Sequence, residues 1–372
     1  MPNRTPRDLV FVSAGLGLDG GGRALAGRLL AGAGADFARR RGIGFHLLTL
    51  EGGGLPGSEA PCRSFGGNAR ALALHLWQRQ LADRGHRGHR EAYVFDLLGP
   101  ARVQAYLPGP LRAPYLVPLY GIEVWRPLEW DRRRALARAA ARFAISAYTL
   151  ERARPFCPDP SGTVILPLAL EERAEEGTVD APLIGRVGRG FLLIVGRMAM
   201  SERYKGHDQL LEALPRVREL CPNAHLVVAG EGDDRRRLEE KADYLGVGSA
   251  VLFAGFTSEA TLAELYRRCA VFVMPSRGEG FGLVYLEAMR AARPVVAARG
   301  SAAEEIVVDG ETGLLIDPDD REQLSRVLAR LLRDAGGARR MGWAGRERWE
   351  RELGLDRFRE RLEPLLERLV ET

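Results

Sequence analysis

Two glutamates, Glu279 and Glu287, bracket the junction of a glycine-rich loop and a helix in MPSRGEGFGLVYLEAMRAA. A buried-type strand, AVFVM, ends at Pro275. The loop carries Glu279, and the helix opens near Leu283 with Glu287 on its first turns. Gly280 and Gly282 let the backbone approach a ligand, and the helix start offers unpaired N–H groups and positive dipole to an anion. Upstream, VGRMAMSERYKGHDQLLEAL repeats the arrangement: a strand ending at Gly196, then Arg197 and Lys205, with Gly206 opening the next helix. Two cations at a strand's end in the neighbouring unit would face the same anion, arginine as a bidentate fork and lysine as a compact charge. Taken singly, each of these residues reads equally as a solvated surface group. Together they make an anion site with two carboxylates beside it.

The elements that must position them alternate. In the first half, DLVFVS, IGFHLLTL, AYVFDLL, APYLVPLY, RFAIS and TVILP read as strands. RALAGRLLAGAGADFARR, NARALALHLWQRQLA and LEWDRRRALARAAA read as helices. Residues 167–188 mix acids, glycines and prolines without period and read as an interdomain linker. Alternation then restarts with FLLIVG, AHLVVAGEG, AVLFAGF, AVFVMPS and RPVVAAR as strands, and the chain from Arg321 on looks helical throughout. Strands alternating with helices imply βαβ units and parallel sheets. The expected fold class is α/β with two doubly wound Rossmann-like domains, residues 1–182 and 183–352. In such a fold the ligand lies in the cleft between domains, outside the carboxyl ends of the strands.

Composition bounds the function. At 372 residues with 46% hydrophobic and 28% charged side chains, the chain fits two ordinary globular domains. No window approaches the ~18 apolar residues of a membrane-spanning helix. Of the 54 basic residues only Lys205 and Lys241 are lysines, which makes each a position to explain. Residues 1–182 hold 24 basic against 18 acidic side chains, an excess that suits an anionic acceptor or a lipid surface and that solvated helix faces explain as well. Cys62, Cys157, Cys221 and Cys269 share no CxxC pattern, so neither zinc nor a disulfide framework is expected. The run Leu9–Ser13 reads as a first strand, not a signal peptide, and a cytoplasmic location, peripheral to the inner face of a membrane at most, is the expectation.

In order and spacing, VGR…KG…LLEAL, VVAGEG, FAGF, MPSRGEGFGLVYLEAM, PVVAARGSAAEEIV and GETGLLIDPDD resemble the GT-B retaining glycosyltransferases of family 4. In the first half GLDGGGRALAGRLL looks like that family's first glycine loop, YGIEVW stands in the place of its HG-x-E motif, and AISAYTLERA in that of its SxYT segment. The resemblance implies a transferase that moves a hexose from a nucleoside-diphosphate sugar to an acceptor such as a glycan, a lipid-linked sugar or a small metabolite. The nucleotide sugar would be a co-substrate, with no cofactor and no metal required, and no nucleic acid as partner.

By the same resemblance, Arg197 and Lys205 would hold the diphosphate and neutralise the leaving nucleotide, helped by the backbone from Gly280 through Phe281 and Gly282 to Leu283. Glu287 would accept the ribose hydroxyls, Glu279 would sit near the transferred sugar, and Glu231 would lie near the base. Gly21 and Gly22 would let the first loop close on the diphosphate or acceptor. The C-terminal helix, roughly 353–371, would cross back to the first domain. The family's histidine is replaced by Tyr120, a hydrogen-bonding group whose ordinary pKa near ~10 makes it a poor proton carrier. That replacement is consistent with a slower enzyme, or with a donor-binding protein without turnover that serves as a scaffold.

Asp96, at a strand end, and Glu123, in YGIEVW, are candidates for the acceptor side. Arg132 to Arg134 with Arg138 and Arg142 form a basic stretch suited to anionic head groups or to plain solvent. His86 and His89, without acidic or cysteine companions, read as a solvated loop, and the five tryptophans mostly as core.

Overall fold

The computed structural model describes residues 7–17, 21–55, 60–82, 91–170 and 177–371. The chain divides into two compact units, Met1–Ala169 with Leu355–Thr372, and Leu170–Gly354. Each is built on one parallel sheet, as the α/β alternation predicts.

The first unit carries β1 (Asp8–Gly15), β2 (Phe45–Glu51), β3 (Cys62–Ser64), β4 (Glu91–Phe95), β5 (Tyr115–Leu119), β6 (Ala141–Ala144) and β7 (Thr163–Ile165). Its helices are α1 (Gly21–Arg41), α2 (Ala69–Ala82), α3 (Leu98–Ala101), α4 (Trp130–Arg138) and α5 (Ala147–Ala153). The strand order is β3-β2-β1-β4-β5-β6-β7, so the winding reverses between β1 and β4. Leu9–Val12 and Ala92–Phe95 are fully enclosed, the near-continuous apolar run of a strand covered on both faces. The exposed three-residue edge strand β3 has no such run and escapes sequence reading.

The second unit carries α6 (Ala181–Val187), β8 (Leu192–Val195), α7 (His207–Leu220), β9 (Leu226–Ala229), α8 (Arg235–Tyr244), β10 (Val251–Gly255), α9 (Glu259–Arg268) and β11 (Val271–Met274). It continues with α10 (Leu283–Arg290), β12 (Val295–Ala298), α11 (Ala303–Ile306), β13 (Gly313–Ile316), α12 (Arg321–Arg333) and α13 (Ala335–Arg348). Its strand order is β10-β9-β8-β11-β12-β13, with the reversal between β8 and β11.

The chain passes from one unit to the other at Leu170, earlier than the 182/183 division drawn from composition. The aperiodic segment also contains a helix, α6. Asp180 caps it by accepting from the Leu183 N–H at 2.9 Å, Pro182 sits in its first turn, and Gly188 ends it at φ +68°. The acid, proline and glycine that read as linker are thus start and stop signals of a short helix. After a π-helical turn at Trp349–Leu353, α14 (Leu355–Glu371) belongs to the first unit. It buries Phe358, Leu362, Leu366 and Leu369, pairs Glu363 with Arg40 at 3.0 Å, and accepts the Arg7 N–H at the Val370 carbonyl.

Candidate active site

In an open parallel sheet the crevice at the winding reversal is where a ligand finds strand ends and helix starts together. In the second unit that point holds Arg197 after β8 and the Glu279 loop after β11.

Three close approaches bring these two βα turns side by side. Gly206, at φ +92°, caps α7, and a Cβ there would lie 2.6 Å from Pro275 Cγ, so only glycine fits. Gly278 lies under Tyr204, where an added Cβ would meet Cδ2 at 3.0 Å. The Arg277 N–H donates to the Tyr204 carbonyl at 3.0 Å. The YKG and PSRGEG segments are therefore two halves of one surface.

On that surface Arg197 and Lys205 converge on one carboxylate, Glu202. Arg197 donates to Glu202 Oε1, and Lys205 Nζ stands 3.6 Å from Oε2. The Arg197 side chain is 68% exposed, whereas that of Lys205 is 17%. The Lys205 stem lies on Gly196, 3.2 Å from where a Cβ would be, a slot for an unbranched chain ending in a point charge. Lys241, the other lysine, likewise fits a compact role, its ammonium 2.6 Å from Asp208 and within hydrogen-bond reach of Glu212 at 2.5 Å. Burial pushes the Glu279 carboxyl up, Lys205 opposes that shift and Glu202 adds to it. Burial also lifts Tyr204 to about 12.

Phe281 is buried and anchors the loop. Gly282, at φ +93°, caps α10 with no side-chain hydrogen bond, and Leu283 is the helix's first residue. A Cβ on Gly282 would strike the Tyr285 ring at 2.3 Å. Glu287, one turn into α10, accepts a 2.7 Å hydrogen bond at Oε2 from Tyr266 of α9. Burial raises the Glu287 carboxyl, while Tyr266 and Arg290 lower it. Glu231 is exposed after β9, and its carbonyl accepts from the Met198 N–H at 2.9 Å. A Cβ on Gly230 would meet the Gly196 carbonyl at 2.2 Å, so the β9 loop packs backbone to backbone against the Arg197 loop.

The winding reversal of the first unit has different chemistry. Asp96, after β4, is 3% exposed and accepts from Ser13 Oγ at 2.5 Å and from the Ala14 N–H at 3.1 Å. Burial lifts its carboxyl to about 7 against those bonds and the Arg23 charge. Tyr120, after β5, is 8% exposed, and its hydroxyl has no hydrogen-bond partner among the described residues. Burial, Asp96 and Glu123 push that phenol well above its ordinary value. Glu123 is folded onto its own loop, Oε1 accepting from the N–H groups of Tyr120 at 2.7 Å and Gly121 at 3.1 Å, so one oxygen holds the turn. Gly21 and Gly22 are the first residues of α1, not part of a loop, and residues 18–20 before them lie outside the described residues, as do His86 and His89.

Sequence reasoning passed over Glu202, Tyr266 and Ser13. Glu202 was legible in principle, as an acid between the two cations. Tyr266 and Ser13 carry no local signal, because Tyr266 meets Glu287 across two packed helices and Ser13 meets Asp96 from a neighbouring strand.

Residues 185–348 match the family model of the glycosyl transferases group 1. The chain is 34% identical over 223 residues to the GDP-mannose-dependent alpha-(1-6)-phosphatidylinositol monomannoside mannosyltransferase of Mycolicibacterium smegmatis, covering 56% of this chain and 54% of that relative. It thus spans about half the length of that relative. Among solved structures it resembles HepE of Anabaena in complex with UDP and glucose (TM-score 0.75, 17% identity, 97% of this chain and 99% of that one). It also resembles sucrose-phosphate synthase of Thermosynechococcus elongatus (TM-score 0.76, 22% identity, 98% and 99%). The second unit therefore matches the glycosyl transferases group 1 model over most of its length, and the chain shares with those solved structures the fold of two parallel-sheet α/β units.

Proposed function

We propose that the protein is a metal-independent retaining glycosyltransferase of family 4 that moves a hexose from a nucleoside-diphosphate sugar, UDP- or GDP-linked, to an acceptor hydroxyl. The observation that carries this reading is the convergence of Arg197 and Lys205 on a single carboxylate beside the Glu279–Leu283 loop. Two cations arranged around one anionic group suit a diphosphate, and they would stabilise the charge that builds on the leaving nucleotide. Amides at the start of α10 would add donors to the phosphates. Glu287, oriented by Tyr266, would take the ribose hydroxyls, and Glu231 would lie toward the base. Glu279 would meet the sugar being transferred, its raised carboxyl suited to hydrogen bonding with sugar hydroxyls.

The first unit would bring the acceptor through Asp96 and hold the donor sugar by the Tyr120 hydroxyl. The GDP-mannose and phosphatidylinositol mannoside in the name of the mycobacterial relative, and the UDP and glucose with HepE, mark the donor and acceptor classes to try first.

Thermal unfolding with a panel of UDP-, GDP- and ADP-sugars checks the assignment. Ligand at about 100 times its Kd stabilises by about 2.7 kcal/mol. A shift with sugars of one base is expected, and no shift with any of them contradicts the donor site. Tyr120→Phe is expected to weaken donor binding or slow turnover, and unchanged values for both would remove Tyr120 from the site.

A further inference from the structure

We propose that a face of the first unit, formed by α2, the 3-10 turn at Arg102–Ala105 and α4, docks onto an anionic lipid surface. Leu74, Trp77 and Leu81 are 55%, 37% and 52% exposed and share one side of α2, opposite the buried Leu72 and Leu76. The Trp77 indole N–H reaches the Val103 carbonyl at 3.5 Å, which joins this stripe to the 3-10 turn. Just beyond the turn, Tyr106 (54% exposed) meets Trp130 (60% exposed) edge to face at 5.7 Å. The Arg134 guanidinium lies over the Trp130 ring at 5.4 Å. The outcome is two clusters of large apolar and aromatic side chains in water on adjoining elements, of the kind that marks an interaction site.

Its charge is positive in sum, five arginines against two acids. Arg102 and Arg132 are matched by Asp131 and Glu129. Arg133, Arg134 and Arg138 have no acidic partner among the described residues. Arg134 and Arg138 instead donate to the Ala105 carbonyl at 3.0 and 3.1 Å, which holds both against the end of the 3-10 turn. Burial and the nearby charges of Arg134 and Arg112 depress Arg138, as expected where like charges crowd. Arg142, in the same basic stretch of sequence, lies apart on β6 and donates to the Pro158 carbonyl.

Tryptophan and tyrosine at a boundary, apolar side chains beside them and unpaired arginines are the chemistry of a head-group interface. A second copy of this chain fits less well, because a two-fold contact would set the arginine cluster against itself.

Flotation of the full chain with vesicles of phosphatidylcholine alone, or mixed with phosphatidylglycerol, tests the proposal. Binding to the anionic vesicles only, weakened by salt, is expected. Arg133→Ser is expected to lower that affinity about fivefold, and Trp130→Ser to lower it further. Both residues are exposed, and an unchanged unfolding temperature confirms the fold of each variant. Absence of flotation with anionic vesicles, or flotation indifferent to both substitutions, overturns the proposal. A concentration-dependent dimer broken by the same substitutions, without vesicle binding, would assign the face to self-association instead.

Discussion

The two units place opposite chemistry at the same point of the same architecture. At the β8/β11 reversal the strand ends carry Arg197 and Lys205 around Glu202; at the β1/β4 reversal they carry a buried acid, Asp96, with Tyr120 nearby. The first arrangement suits a diphosphate and the second suits neutral hydroxyls, so the difference lies in a few side chains and not in the fold. The tyrosines sharpen the contrast. Tyr266 spends its hydroxyl on Glu287, whereas the Tyr120 hydroxyl makes no bond to Asp96. One carboxylate is held in place, and the other site keeps a donor in hand.

The largest effect expected from this contrast is a pH dependence of stability that arises at Asp96 in the first unit. The folded pKa of Asp96, about 7, lies above its ordinary 3.8. The folded state therefore holds the proton more tightly. The stability this gives is fully present below about pH 4 and is lost as the pH rises toward 7, by up to about 4 kcal/mol. Asp96→Asn should flatten that fall in chemical denaturation curves, and an unchanged slope would mean that Asp96 is not buried as described.

Next comes the internal anion of the second unit. Glu202→Gln removes the negative charge that any diphosphate must meet between Arg197 and Lys205, and nucleoside diphosphate should bind about tenfold more tightly. Weaker binding would instead make Glu202 a positioner of the two cations. The smallest effect is at Tyr266→Phe, which removes one hydrogen bond from Glu287 and should weaken nucleotide binding about fivefold. Because Tyr266 lowers the Glu287 carboxyl, its loss should also move the acid limb of the binding profile to higher pH. A profile that stays in place would separate Tyr266 from ribose recognition.

Much of this was legible before the fold, and the rest was not for definite reasons. The fully buried strands β8 and β11 appear in sequence as short apolar runs, and the loops after them as glycines with charges. Hence Arg197, Lys205, Glu279 and Glu287 could be named from spacing. The closeness of the two loops could not, since it depends on Gly206 passing under Pro275 and Gly278 under Tyr204, contacts between segments some seventy residues apart. Helix α6 was hidden because its cap residues are also linker residues, and β3 because an exposed edge strand has no apolar pattern. Glu123 looked like a ligand-facing acid and serves its own loop, a role only the backbone path of Tyr120 and Gly121 reveals.

The most direct test of the central claim, that the positive strand ends of the second unit hold the nucleotide and those of the first do not, is calorimetric titration of GDP and UDP. The titration is run with the wild-type chain, Lys205→Ala and Asp96→Asn. Losing the lysine's charge-assisted bonds should weaken binding of the preferred diphosphate about 100-fold, while Asp96→Asn leaves it unchanged. Equal affinity in the wild type and Lys205→Ala, or a loss that follows Asp96 instead, would contradict the account.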